Sequence, residues 1–204
     1  MDILLKLFAP LNYLKIGHEQ KRVLDFLLPL ILGGSVAILY ASLPEPFIIL
    51  GDKGVLNALG GLLQFLTGFY VASLAAIATF PNKNMDDFTD GIPLKLNNTE
   101  ITRRQYLSYM FGYLAFLGFL LVALGFIILV LEPSINVWAS VIDARWIFIS
   151  TLVFIAVYFY YVSKLMLTTL YGLYYLTEKI HQTKPEFDGD IGEAIEEDEE
   201  PDDF

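Results

Sequence analysis

The sequence predicts an all-α, polytopic membrane protein with four transmembrane helices, and three observations carry that reading. Of the 204 residues, 55% are hydrophobic and 18% are charged, with a mean hydropathy of +0.55, whereas soluble domains carry about 25% charged residues. The apolar residues gather into four charge-free runs, Phe26 to Pro44, Gly54 to Asn82, Gln105 to Leu131 and Trp146 to Ser163. Each approaches or exceeds the roughly 20 residues that cross a bilayer at about 1.5 Å rise per residue. The third observation is the uneven sharing of Lys and Arg among the connections. This pattern excludes a large soluble catalytic core, and the absence of Cys excludes disulfide frameworks, thiolate metal sites and Cys nucleophiles.

Residues 1–22 read as an interfacial amphipathic segment rather than a cleaved signal peptide. Met1-Asp2 lacks a basic start, and Lys6 and Pro10 interrupt the apolar run. Ile3, Leu4, Leu5, Leu7, Phe8 and Leu11 offer apolar surface, while Lys6 and Lys15 reach headgroups. The transmembrane domain occupies 23–180, with spans over 23–43, 55–80, 105–131 and 146–177 and a loop over 82–104. Pro44, Pro46 and Pro133 are expected to end the outgoing spans, because proline lacks the amide proton that continues a helix. The pairs Glu45-Pro46 and Glu132-Pro133 are read as similar turn chemistry, with two tandem hairpins as the alternative.

The charges set the orientation. Lys6, Lys15, Lys21 and Arg22 precede the first span, Lys83, Lys95, Arg103 and Arg104 separate the second from the third, and Lys179 and Lys184 follow the fourth. The opposite connections carry Lys53 and Arg145 alone. The positive-inside rule puts both termini in the cytoplasm. Trp138 and Trp146 mark the outer interface, and Tyr106, Tyr109, Tyr158, Tyr160 and Tyr161 the inner one. Lys21, Arg22, Arg103 and Arg104 are expected at inner headgroups, and Lys164, about 27 Å of helix rise from Trp146, is expected to snorkel there. Asp25 is read as an interfacial ion pair with Lys21.

In the second span Gly60, Gln64, Gly68, Ala72 and Ala76 recur every four residues. Small residues at that spacing let another helix approach closely, within the chain or in a second copy, and Gln64 supplies a hydrogen bond across the contact. A pore lined by Gln64, Asn57 and Thr67 is the sharper alternative and needs several subunits. The fourth helix continues past Lys164 toward Ile180. At about 52 Å it outruns a hydrocarbon core of about 30 Å, so Tyr171, Tyr174 and Tyr175 are expected in a projecting, partner-binding segment.

The loop contains Asp86-Asp87-Phe88-Thr89-Asp90, which fits the DDxxD spacing of magnesium-diphosphate sites in prenyl-transferring enzymes. No second acidic motif accompanies it, and a solvated turn is the plainer reading. Thr102-Arg103-Arg104-Gln105 matches a capping box that opens the third span. No Gly-rich phosphate loop, nucleophile triad or His metal spacing is present, and His18 and His181 lie in flanks. The expectation is a non-enzymatic protein without cofactors or metals that binds no nucleic acid directly.

Residues 185–204 form an acidic tail with 11 acids and no Lys or Arg, which accounts for the whole net charge of −10 and leaves the rest of the chain about neutral. So dense a run of like charge cannot bury enough apolar surface to fold alone. Glu196, Glu197, Asp198, Glu199, Glu200, Asp202, Asp203 and Phe204 end the chain. Acids with a terminal Phe carboxylate resemble the tip of bacterial single-stranded-DNA-binding proteins, which implies docking in basic pockets of a soluble partner.

The whole layout, with four spans, cytoplasmic termini, the Thr102-Arg103-Arg104-Gln105 start of the third span and a cytoplasmic interaction surface, resembles the membrane subunit of the Kiwa antiphage defence system. That resemblance implies a homo-oligomeric bacterial inner-membrane protein that senses phage attack and works with a soluble, DNA-binding partner. It carries over no catalytic residues. The functional expectation is therefore a membrane sensor and scaffold, with a small oligomeric pore as the alternative.

Overall fold

The computed structural model describes residues 8–16, 23–79, 81, 83–86, 88, 95–96 and 99–179. Within them the chain is almost entirely helical, and four helices are long and apolar enough to cross a membrane. A short 3-10 helix, Ala9–Lys15, is followed by a π turn, Val23–Leu27, that leads into α1, Leu28–Ser42. Next come α2, Val55–Thr79, a one-turn α3, Lys83–Asp86, and two-residue strands β1, Lys95–Leu96, and β2, Thr99–Glu100, paired antiparallel. The chain then forms α4, Arg103–Ala139, and α5, Ala144–Tyr174, which closes in a π turn, Tyr175–Lys179.

Local chemistry explains most of the boundaries. Ser42 ends α1 two residues before Pro44, as the missing amide and the restriction on the preceding residue require. Thr102 and Gln105 cap α4 reciprocally: the Thr102 hydroxyl accepts from the Gln105 amide, and the Gln105 side chain accepts from the Thr102 amide. Asp143 accepts from the Arg145 amide at the start of α5. Pro133 corrects one expectation, since it lies inside α4 and the helix runs on to Ala139. Its exposed ring faces no neighbouring helix, so the proline removes one internal hydrogen bond without ending the span.

The helices form two antiparallel pairs, α1 along α5 and α2 along α4, joined where α4 meets α5. Phe26, Gly33 and Tyr40 of α1 and its π turn meet Lys164, Tyr160 and Phe148 of α5 in descending order. Ile77, Thr67 and Leu56 of α2 meet Arg104, Gly118 and Gly125 of α4. This order, α1–α5–α4–α2, is not that of two tandem hairpins, because α1 and α2 make no extended contact. Two close crossings hold the pairs together. A β-carbon on Gly33 would lie 2.7 Å from the Tyr160 amide nitrogen and 2.9 Å from the Ala156 carbonyl oxygen. Gly118 lies directly under the Thr67 hydroxyl, where any β-carbon would overlap it.

The run from Val23 to Ser42 is 20 residues long and so measures about 30 Å, one hydrocarbon thickness. Against that ruler α4 and α5, with 37 and 31 residues, both overrun. Val23, Thr79, Arg103 and Tyr174 lie at one end of the bundle, the proximal end. Burial is concentrated there: Tyr13, Leu107, Met110, Phe111, Leu114 and Leu165 are wholly inaccessible. The distal half of α4 instead presents Phe119, Phe126, Ile127 and Val130 outward, as lipid-facing residues do. Trp138 and Trp146 are both exposed at the distal hairpin, where aromatic belts sit.

Candidate functional site

The proximal end holds a buried cluster of charged and tyrosine side chains. Pro29 follows the π turn and has no amide to offer the carbonyl of Asp25, so the chain takes a wider turn there before α1 begins. That turn carries Asp25 inward, to 2% exposure, beside Lys164 of α5, which is 4% exposed. The Lys164 ammonium lies 4.8 Å from the centre of the Phe26 ring and 5.6 Å from that of Tyr113, within cation–π range. Lys164, expected from the sequence to reach headgroups, is enclosed by the chain's own side chains. Withdrawing a charge from water is costly unless an opposite charge and polar contacts compensate, and Asp25 and the two ring faces do so here.

Tyrosines surround this pair from every neighbouring element. Asp25 acts electrostatically on Tyr13 of the 3-10 helix, Tyr113 of α4, and Tyr160 and Tyr171 of α5. Tyr13 stacks on Tyr113 at 5.1 Å and packs with its ring 6.2 Å from that of Tyr106. Burial first, and the Asp25 charge second, hold the Tyr13 hydroxyl neutral far above the ordinary phenol range. The Tyr106 ring also lies 5.3 Å from that of Tyr175. One level deeper, Tyr70 of α2 and Thr169 of α5 hydrogen-bond at 2.6 Å. The cluster ties the N-terminal 3-10 helix, α1, α4 and α5 into one unit through groups that a lipid-facing position would not tolerate.

The sequence-predicted residues fall into distinct places. Gln64, Gly68, Ala72 and Ala76 are exposed and Gly60 is half-buried, all on the side of α2 away from α4. A β-carbon on Gly60 or Gly68 would meet nothing within 4 Å. This face does not serve packing within the chain, which α2 achieves through Leu56, Leu63, Thr67, Tyr70 and Ile77. Thr67 is buried under Gly118 and donates to the Leu63 carbonyl, while Asn57 donates to the Asp52 carbonyl, so Gln64, Asn57 and Thr67 do not converge on one lumen. Tyr175 is buried on Tyr106 and Tyr171 is half-buried, which leaves Tyr174, 47% exposed, as the outward member of that trio. Arg103, at the first residue of α4, is buried within the protein. Lys21, Arg22, Asp87, Asp90, His18, His181 and residues 185–204, with Glu196, Glu197, Asp198, Glu199, Glu200, Asp202, Asp203 and Phe204, lie outside the described residues.

Arg104 takes a role the sequence reading missed. Its Nε and Nη2 donate to the Asp86 carboxylate at 2.6 and 3.2 Å, and its Nη1 donates to the Ile77 carbonyl, fastening the short α3 and the end of α2 to the start of α4. The Arg104 hydrogen bond, more than its charge, holds the Asp86 carboxyl below the usual carboxylate range. A lowered folded-state value means the clamp is complete above the ordinary carboxylate range and is lost as pH falls through the depressed value. Amide exchange over 83–104 should therefore rise in acid, and Asp86→Asn should show the acid pattern at neutral pH. Exchange in Asp86→Asn that matches the parent at neutral pH would show that the ion pair fastens nothing.

Among the described residues, no group of three or more His, Asp and Glu side chains is placed to hold a metal ion. No protein-family model, curated protein or solved structure matches the chain.

Proposed function

We propose that the protein is a membrane-embedded scaffold that assembles with copies of itself through α2 and recruits a soluble partner with a basic surface through its acidic tail. The observation that carries this reading is the outward, unfilled face of Gly60, Gln64, Gly68, Ala72 and Ala76. In a bilayer, helices associate by close packing and hydrogen bonds rather than by escaping water. A stripe of small residues around one glutamine suits that contact. The charge pattern supports cytoplasmic termini, with the tail repelled from an anionic leaflet and free to meet a partner. The resemblance to the membrane subunit of the Kiwa defence system supports a bacterial inner-membrane sensor working with a soluble DNA-binding effector.

Gly60→Leu with Gly68→Leu should reduce the detergent-solubilised assembly to monomers in light scattering, while leaving the melting of each monomer unchanged. Persistence of the full assembly would remove α2 as the interface. Truncation after Lys184 should keep the assembly and release the soluble partner, and a partner retained at low salt would count against the tail. A pore is the second reading, favoured by the exposure of Gln64 alone. Vesicle conductance abolished by Gln64→Leu in an intact assembly would establish it instead.

A further inference from the structure

The Asp25–Lys164 pair is the deep end of the proximal cluster. The Lys164 ammonium is 5.6 Å from the centre of the Tyr113 ring, and the next residue, Leu165, comes within 3.6 Å of where a β-carbon on Gly118 would stand. Gly118 is midway along the charge-free run Gln105 to Leu131, about 20 Å of helix rise from Gln105. From that depth outward, α4 is covered by the N-terminal segment. Phe8 meets Phe116 edge-on at 6.1 Å, and Tyr13 of the 3-10 helix packs on Tyr113 and Tyr106. We propose that this 3-10 helix is a gate: docked on α4 it shuts water out of a path from the proximal face to the Asp25–Lys164 pair, and undocked it admits water to the pair. The gate is independent of assembly through α2.

The path has a polar lining. Thr168, Tyr171 and Tyr175 follow Lys164 along α5 and its π turn at a spacing that keeps all four on one helix face. Tyr106 of α4 meets that face through the Tyr175 ring and meets the 3-10 helix through Tyr13. The Thr168 hydroxyl is wholly inaccessible and has no hydrogen-bond partner among the described residues. Buried hydroxyls are nearly always bonded, to protein or to water, so water that reaches Thr168 is held there. Ionised groups at membrane depth pair with one another or face water-filled space, and hydration would return to the pair the solvation that burial removed. The cover, by contrast, is lightly held. The 3-10 helix packs extensively on α4 alone. Tyr13 is its buried residue, with Ile16 just beyond, while Phe8, Ala9, Leu14 and Lys15 are exposed. Seven residues is long for a 3-10 helix, whose hydrogen bonds are poorer than those of an α-helix, so the segment depends on docking for its shape. Docking gains the ring contacts of Tyr13 and loses the hydration of Thr168 and the charge pair; undocking reverses that exchange. Opposing terms of this kind make a two-state element.

The test uses the full chain in nanodiscs of phosphatidylcholine and phosphatidylglycerol, which leave both faces open to reagent. A water-soluble acetylating ester is the probe, and mass spectrometry compares buried Lys164 with exposed Lys53. In the parent, Lys164 should react to completion but many-fold more slowly than Lys53. Tyr13→Ala should raise the Lys164 rate at least several-fold and leave Lys53 unchanged, while Tyr13→Phe, which keeps the ring stack, should stay near the parent. The chain has no Cys, so Thr168→Cys probed with a charged thiol reagent reports a second point on the path and should follow the same order. Thr67→Cys, buried at the crossing of α2 with α4, should stay slow in every background. Lys164 reacting as fast as Lys53 in the parent would mean that nothing is shut, and Lys164 that never reacts would make the 3-10 helix a fixed cover. Either result overturns the proposal, as does a Tyr13→Ala rate equal to the parent's. A rise at Thr67→Cys together with Thr168→Cys would also overturn it, because the whole bundle would then have loosened.

Discussion

Lys164→Met lowers the stability of the detergent-solubilised protein by about 3–5 kcal/mol, the usual cost of removing one member of a buried charge pair. The effect is large because Asp25, 2% exposed, and Lys164, 4% exposed, are both withdrawn from water, and the carboxylate loses an opposite charge when the ammonium leaves. Asp25→Asn produces a loss of the same sign for the converse reason. The double replacement Asp25→Leu with Lys164→Met regains most of the stability, since an apolar pair of similar size removes both desolvation costs together. A denaturing-detergent titration of the four proteins measures the coupling. A Lys164→Met protein as stable as its parent would mean that the ammonium reaches headgroups after all, and that the buried pair contributes nothing. The cycle also reads the cluster as a unit. Lys164 lies over the Tyr113 ring on which Tyr13 stacks, so the N-terminal 3-10 helix should loosen from α4 in each single variant and reattach in the double.

The four spans were legible in the sequence because a membrane imposes a length and forbids charge, and both rules leave long uniform runs. The start of α4 was legible too, since a capping box is a local, four-residue device and Thr102 and Gln105 satisfy it as read. The far end of α4 was not, because a proline signals a helix end only where the protein or solvent cannot absorb one missing bond, and exposed Pro133 is such an absorbed case. The site was the least legible part. Asp25 and Lys164 are separated by most of the chain, and nothing in their immediate neighbours announces that they meet; Lys21, read from the sequence as the partner of Asp25, lies outside the described residues. The stripe from Gly60 to Ala76 was found at once, yet its direction was hidden. In lipid both faces of a helix are apolar, and periodicity alone does not say which one meets the chain's own helices.

The glycines of α1 offer the sharpest contrast between neighbouring positions. Gly33→Leu should separate α1 from α5, while Gly34→Leu should leave the pair intact. At Gly33 the obstacles to a side chain are backbone atoms of α5, the Tyr160 nitrogen at 2.7 Å and the Ala156 carbonyl oxygen at 2.9 Å from the first added carbon. Backbone in a helix cannot rotate aside as a side chain can, so one of the two helices must move along its whole length. Overpacking of a close contact costs about 1–3 kcal/mol and occasionally more, and here it also pulls Phe26 from above Lys164. At Gly34 an added β-carbon meets nothing within 4 Å, and a leucine there points into lipid, where surface replacements stay within about 0.5 kcal/mol of the parent. Cysteines placed at Tyr40 and Phe148, whose rings lie 6.4 Å apart at the other end of the same helix pair, report the separation by cross-linking in an otherwise Cys-free chain. Cross-linking should persist with Gly34→Leu and fall with Gly33→Leu. Equal cross-linking in both would show that α1 is held by its π turn and not by the Gly33 crossing, which would move the mechanical anchor of the first span to the Asp25–Lys164 cluster.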